Sequence, residues 1–234
     1  HIVDLGVGDG QEINIILGAF ISDSNIDDKI YCSLVDSSYH MLRVAINALD
    51  ETNFSDTIYK EKVALFAINC DFRDVHLYRD SLRVSTGARL FCLLGGILGN
   101  FIENEVIGPI SAEMIACDFF LLGVDLIGNR TAEECISAYD NILDKKFIFS
   151  PLAEIGFVFE QASFAFEIKS DISEVKSAKT IIARCSVEGK SIQMGKSTKY
   201  ILAELKSYLL NNYSLDVVRE LINKEHNYAL LLIR

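Results

Sequence analysis

Along this chain, short runs of consecutive apolar residues alternate with stretches in which apolar side chains return at helical spacing. The first pattern fits strands buried on both faces, and the second fits helices laid against them. Ile2-Val3-Asp4-Leu5 reads as a strand, and Ile13, Ile16, Leu17 and Phe20 then mark one face of a helix. Tyr31–Asp36 is predicted as the second strand, followed by a helix facing inward through Met41, Leu42, Ala45, Ala48 and Leu49. Val63–Asn69, Arg89–Leu94 and Phe119–Leu126 are predicted as strands three to five. This alternation predicts an α/β fold with a mostly parallel sheet joined by crossover helices. After the fifth strand the pattern changes. Thr131–Tyr139 is predicted as a helix opened by a Thr131 cap with Glu134 three residues on. Phe164–Lys169 and Ala178–Val187 then read as an inserted antiparallel hairpin. Leu202–Leu210 is a predicted helix, and the apolar runs around NKEHN form a last hairpin that adds a reversed strand, giving seven in all.

Composition narrows the function classes. The 234 residues are half apolar, enough for one α/β domain with a small insertion. A formal charge of −11 argues against nucleic acid and anionic membrane surfaces as partners. No apolar run approaches the ~20 residues that span a bilayer. Cys32, Cys70, Cys92, Cys117, Cys135 and Cys185 show no metal-ligand spacing and read as small hydrophobes of a reducing, cytoplasmic compartment. His1, His40, His76 and His226 are scattered, so no metal is expected. Because His1 already adjoins the first strand, the natural chain is expected to extend further upstream. The oligomeric state is left open.

The chemistry concentrates where the predicted strands end. DLGVGDGQ places Gly6, Gly8 and Gly10 in a strand-to-helix turn behind Asp4. A dinucleotide fingerprint wants G-x-G-x-x-G, and Gln11 stands where its third glycine belongs. The nicotinamide reading therefore loses its key residue. One βα unit later, Asp36 closes the second strand, where an acid can accept from both ribose hydroxyls, although it could equally cap the next helix. Asp71 follows the third strand, beside Phe72, and could simply be a turn residue. Such residues on successive strand ends share the edge at which open α/β sheets bind ligands.

The D-x-G-x-G-x-G row resembles the first motif of S-adenosylmethionine-dependent methyltransferases, with a Rossmann-like class I fold. In that resemblance Asp4, Gly6, Gly8 and Gly10 approach the methionine part of the cofactor, Asp36 and Ser37 the ribose, and Asp71 and Phe72 the adenine. LFCLLGGILGNF at 90–101 is more distinctive and resembles the L-F-x-G-S-x-x-G-N-F segment of the histidine-specific methyltransferase family. DFFLLGVDLI, AYDN at 138–141 and STKY at 197–200 follow in that family's order. This resemblance implies Gly95 at the cofactor, and Asn100, Tyr139 and Ser197 at a small-molecule substrate. From the residues alone, Asn100 could be a capping amide, Tyr139 a core ring and Ser197 a loop residue. Gly195 departs from the family, which has a glutamate there against an imidazole, and so removes a partner for histidine. The family's N-terminal helical segment is not matched. No catalytic side chain is singled out, because the cofactor carries the activated group.

The expected division is a cofactor-binding core over 1–130, an inserted substrate subdomain over 131–196, and a helix and hairpin over 197–234 that complete the sheet. The expected function is S-adenosylmethionine-dependent N-methylation of a small amino-acid-like amine. The alternative is a regulatory protein that keeps the fold and the cofactor without turnover.

Overall fold

The computed structural model describes residues 1–23, 29–53, 57–84 and 87–234. Its main sheet is built from β1 (Ile2–Leu5), β2 (Ile30–Asp36), β3 (Val63–Asn69), β4 (Leu90–Leu93), β5 (Phe119–Asp125), and, after an insertion, β9 (Val217–Ile222) and β10 (Tyr228–Ile233). Their order across the sheet is β3-β2-β1-β4-β5-β10-β9. The first five are parallel, and β10 runs antiparallel to both β5 and β9. The order reverses between β1 and β4, opening a crevice beyond their carboxyl ends, where α/β sheets bind ligands.

Successive strand residues point to opposite faces, and each face has its own cover. Val3, Leu5, Phe91 and Leu93 belong to a core shared with α4 (Glu103–Glu113) and α7 (Leu202–Tyr213). Ile2, Cys32, Leu34 and Cys92 belong to a second core with α1 (Gln11–Ser22) and α2 (Tyr39–Asn53). In those two helices Ile13, Leu17, Leu42, Ala45 and Leu49 are buried, following the predicted faces, while Met41 and Ala48 are only half-buried. A short helix α3 (Thr57–Lys62) leads into β3.

Beyond β5, α5 (Ala132–Ser137) begins with a reciprocal cap: Thr131 accepts from the Glu134 N–H, and the Glu134 carboxylate accepts from the Thr131 N–H. Then come α6 (Ile142–Glu154), β6 (Ser163–Lys169), β7 (Lys179–Val187) and β8 (Lys190–Lys199). The inserted unit is thus a three-stranded antiparallel sheet in the order β6-β7-β8, not a hairpin alone. Phe149 and Leu152 of α6 pack on Cys185 and Val187 of β7, giving this sheet its own small core.

β8 escaped the sequence pattern because its alternation is broken. The register shifts between Ala183, opposite Gly195, and Arg184, opposite Gln193, so Met194 is an extra residue on the bulged strand. β8 then runs straight on to Tyr200, which bridges Leu126 at the end of β5. Tyr200 is buried and donates to Glu103, 2.9 Å away at the start of α4. Glu103 also accepts from the Ser173 hydroxyl and the Glu174 N–H, so its fully buried carboxylate is satisfied and ties the insertion to the core.

Candidate functional site

The glycine turn is shaped by the neighbours it must clear. Gly6, Gly8 and Gly10 all take positive φ, at 75°, 56° and 81°. At Gly10 a Cβ would lie 3.0 Å from the Ala45 Cα, so this glycine lets the start of α1 pack on α2. At Gly8 a Cβ would meet nothing within 4 Å. The backbone there borders open space, as a ligand cradle requires. The turn hangs on β2, because the Gly6 N–H donates to the Val35 carbonyl at 2.8 Å and the Gly8 N–H to Asp36 Oδ2 at 3.3 Å.

Asp4, Gly6, Gly8, Glu12 and Gly95 line a pocket of about 190 Å³ at this turn. Asp4 is 3% exposed. Burial, reinforced by the nearby Glu12 and Asp36 carboxylates, pushes its carboxyl up to about 7, and no hydrogen bond from a described residue offsets that. A buried carboxylate in this state is complemented by a ligand that brings positive charge.

Asp36 holds the tip of β2. Its Oδ1 accepts from the Ser38 N–H at 2.8 Å, while the Ser38 hydroxyl accepts from Met41 at 3.3 Å. Ser38, not Asp36, therefore caps α2, and among the described residues the Asp36 carboxylate accepts from the two loops that flank the crevice. Ser37 is exposed beside it, and Asn69 donates to the carbonyls of both residues at 3.0 Å.

At the tip of β3 the arrangement is less open. Asp71 caps an irregular helix over Phe72–Leu82 and is gripped by Arg73, whose Nη2 lies 2.7 Å from Oδ2. Hydrogen bonds from the Arg73 guanidinium hold its carboxyl below the usual range. Phe72 is buried, packed edge-on to Phe101 with ring centroids 5.4 Å apart. Its ring lies in the core on the underside of the glycine turn, 3.8 Å from where a Gly6 Cβ would be.

A larger cavity, about 560 Å³, adjoins this edge between the β4 turn, the end of β5, α6 and the small sheet. Asn100, Tyr139 and Ser197, which lie far apart in sequence, all line it, and so does Gly195. Asn100 does not cap α4, since Ile102 holds that position with no side-chain bond. Tyr139 is half-buried and donates to Ser197 at 3.0 Å. Ser197 lies on β8 rather than in a loop.

Gly99 explains how these groups meet. A Cβ on it would fall 2.7 Å from the Thr198 carbonyl oxygen and 3.0 Å from its nitrogen, so β8 rests directly on the β4 turn. The neighbours of these two residues, Asn100 and Ser197, are thereby brought to one cavity. Gly99→Ala is expected to push β8 off this turn and to cost about 2 kcal/mol of stability, as overpacking does, which chemical denaturation would measure.

Sequence reasoning missed Asp125 and Lys199. Lys199 is 3% exposed and its Nζ donates to Asp125, to Tyr139 at 2.6 Å and to Ser197 at 3.0 Å. The available signal was the S-x-K spacing, since residues two apart on a strand share a face. Phe147, Phe166, Ile181 and Met194 supply apolar wall.

Gly95 lines both pockets, so the glycine-turn pocket opens beside the larger cavity. Two compartments meeting at a backbone without a side chain suit a transfer between two bound molecules.

Comparisons with known proteins agree with this architecture. A crystal structure of an S-adenosylmethionine-dependent methyltransferase from Clostridium acetobutylicum ATCC 824 aligns with 100% of this chain and 82% of its own, at TM-score 0.50 and 12% identity. The CcbJ methyltransferase from Streptomyces caelestis aligns with the same coverages and TM-score at 13% identity. The mitomycin 7-O-methyltransferase MmcR reaches TM-score 0.52 at 14% identity, over 100% of this chain and 48% of its own. At such identities these likenesses speak for the fold. No curated protein sequence matches significantly. The family described as histidine-specific, SAM-dependent methyltransferases matches residues 1–234. A glycine turn bordering open space, a buried acid beside it and a match over the whole length lead to one assignment: the chain belongs to the histidine-specific, S-adenosylmethionine-dependent methyltransferase family.

Proposed function

We propose that this methyltransferase N-methylates a small amino-acid-like amine held in the 560 Å³ cavity. The observation that carries this reading is the shared wall at Gly95, which sets the cavity against the glycine-turn pocket. In it, residues 1–130 form the cofactor-binding core and 131–196 the substrate subdomain, whose last strand continues past that boundary to Lys199, and the chain from there to 234 completes the sheet. S-adenosylmethionine, when bound, supplies a methyl group already activated on a sulfonium. Asp4 and the Gly6, Gly8 and Gly10 turn would hold its charged amino-acid end, and Asp36 with Ser37 its ribose. Asp71 would take the adenine amino group only by sharing its carboxylate with Arg73, with Phe72 supporting the turn from below. On the acceptor side, Asn100, Tyr139 and Ser197 would orient the amine, and Asp125 offers a carboxylate to its ammonium form. The protein's work is alignment and exclusion of water, both of which raise the rate of an in-line displacement.

Labelled methyl transfer from S-adenosylmethionine to each common L-amino acid tests the reading directly. Methylation of at least one α-amine supports it. Tight cofactor binding without transfer to any amine sinks the amine assignment.

The acceptor's side chain is a separate matter. A Cβ on Gly195 would meet open space, so the cavity is larger and more apolar here than with a glutamate. Gly195→Glu is therefore expected to raise kcat/KM for L-histidine about tenfold, roughly one charge-assisted hydrogen bond. A competition assay between L-histidine and L-phenylalanine would detect the change.

A further inference from the structure

The hydrogen-bond directions on the cavity floor can be counted. An ammonium group has three donors. Those of Lys199 go to Asp125, to the Tyr139 hydroxyl and to the Ser197 hydroxyl. Tyr139, already accepting from Lys199, donates its O–H to Ser197. Ser197 Oγ thus accepts twice, which fills its lone pairs and leaves its proton to be donated elsewhere. Ser197 lines the cavity, and so does Asp125.

We propose that Lys199 is the positioning residue of the substrate cavity: it sets the direction of hydrogen bonding so that Ser197 presents a donor. The cavity then selects amines whose remote polar group is an acceptor, such as a carbonyl, a carboxylate or an unprotonated ring nitrogen. A second cation at that point faces Lys199 itself, 3.0 Å from Ser197 Oγ. The inference rests on the reading that the methyl acceptor occupies this cavity.

The test compares the wild-type chain with Lys199→Ala and Lys199→Arg. Calorimetry with S-adenosylmethionine monitors the cofactor pocket, which Lys199 does not line, and the affinity is expected to stay within about twofold. With S-adenosylhomocysteine present, 3-(3-pyridyl)-L-alanine is expected to bind the wild type about 100-fold more tightly than L-lysine. In Lys199→Ala that preference should fall about tenfold, with partial recovery on adding ethylammonium or in Lys199→Arg. A preference unchanged in Lys199→Ala overturns the proposal. Binding of neither probe to the wild type refutes the acceptor-cavity reading instead. Crystal structures of wild type and Lys199→Ala then decide the positioning role alone. Displacement of the Tyr139 and Ser197 hydroxyls upholds it, and unmoved hydroxyls overturn it.

Discussion

Asp4→Asn is expected to melt at a higher temperature than the wild-type chain at about pH 8, and at nearly the same temperature at about pH 4. The Asp4 carboxyl is lifted by burial from 3.8 to about 7 in the folded protein. Between those values the folded state binds a proton that the unfolded state has lost, so stability falls as pH rises through this window and levels off above it. The full loss is worth at most about 4 kcal/mol, or about 10 °C in a chain of this size. Asparagine carries no charge to desolvate and so escapes the loss. The same replacement should weaken S-adenosylmethionine about tenfold, because the cofactor's cationic end loses its counter-charge. Thermal melts at the two pH values, with calorimetry at the higher one, check both halves. A melting difference independent of pH would mean that Asp4 titrates like an exposed carboxylate.

Asp36→Ala is expected to act in the opposite sense, with a large loss of affinity and a modest loss of stability. Its two oxygens accept from the Gly8 and Ser38 backbones, tying the glycine turn to the loop after β2. Losing that tie costs about 1–2 kcal/mol, since the N–H groups sit near solvent and can rehydrate. The larger effect is on the ligand. Two ribose hydroxyls donating to one carboxylate are worth about 3 kcal/mol or more together, so S-adenosylmethionine should bind at least about 100-fold more weakly. Adenosine, which has the ribose but lacks the amino-acid end, should lose as much. Equal adenosine affinity in wild type and variant would place the ribose elsewhere.

What the sequence made legible follows from how locally each feature is determined. The strand-end acids and the glycine turn depend on a single βα unit, and Asp36 could be located from the end of one apolar run. The cap at Thr131 was legible for the same reason, because donor and acceptor are three residues apart. Phe72 was not, since whether a ring after Asp71 turns to the crevice or to the core depends on Phe101 and the underside of the glycine turn, both distant in sequence. β8 was hidden by its bulge at Met194, which interrupts the period-two signal. The S-x-K spacing could place Lys199 beside Ser197, but its meeting with Asp125 was out of reach because it requires β8 to dock on the β4 turn, a contact fixed by Gly99 and Thr198. The grouping of Asn100, Tyr139 and Ser197 came from likeness to a family, and geometry supplied the reason for it.

The uninterrupted passage of β8 from the small sheet to Tyr200 bears on how such proteins are recombined. A module exchanged among relatives at residue 196 would sever a strand in mid-ladder, separating Gly195 from Ser197 and Lys199. A junction just past Tyr200 keeps Tyr139, Gly195, Ser197 and Lys199 together with the aromatic peg that seats them, leaving Asn100 and Asp125 to the host core. Chimeras built at the second junction should therefore inherit the donor's selectivity, whereas those built at the first should inherit neither parent's.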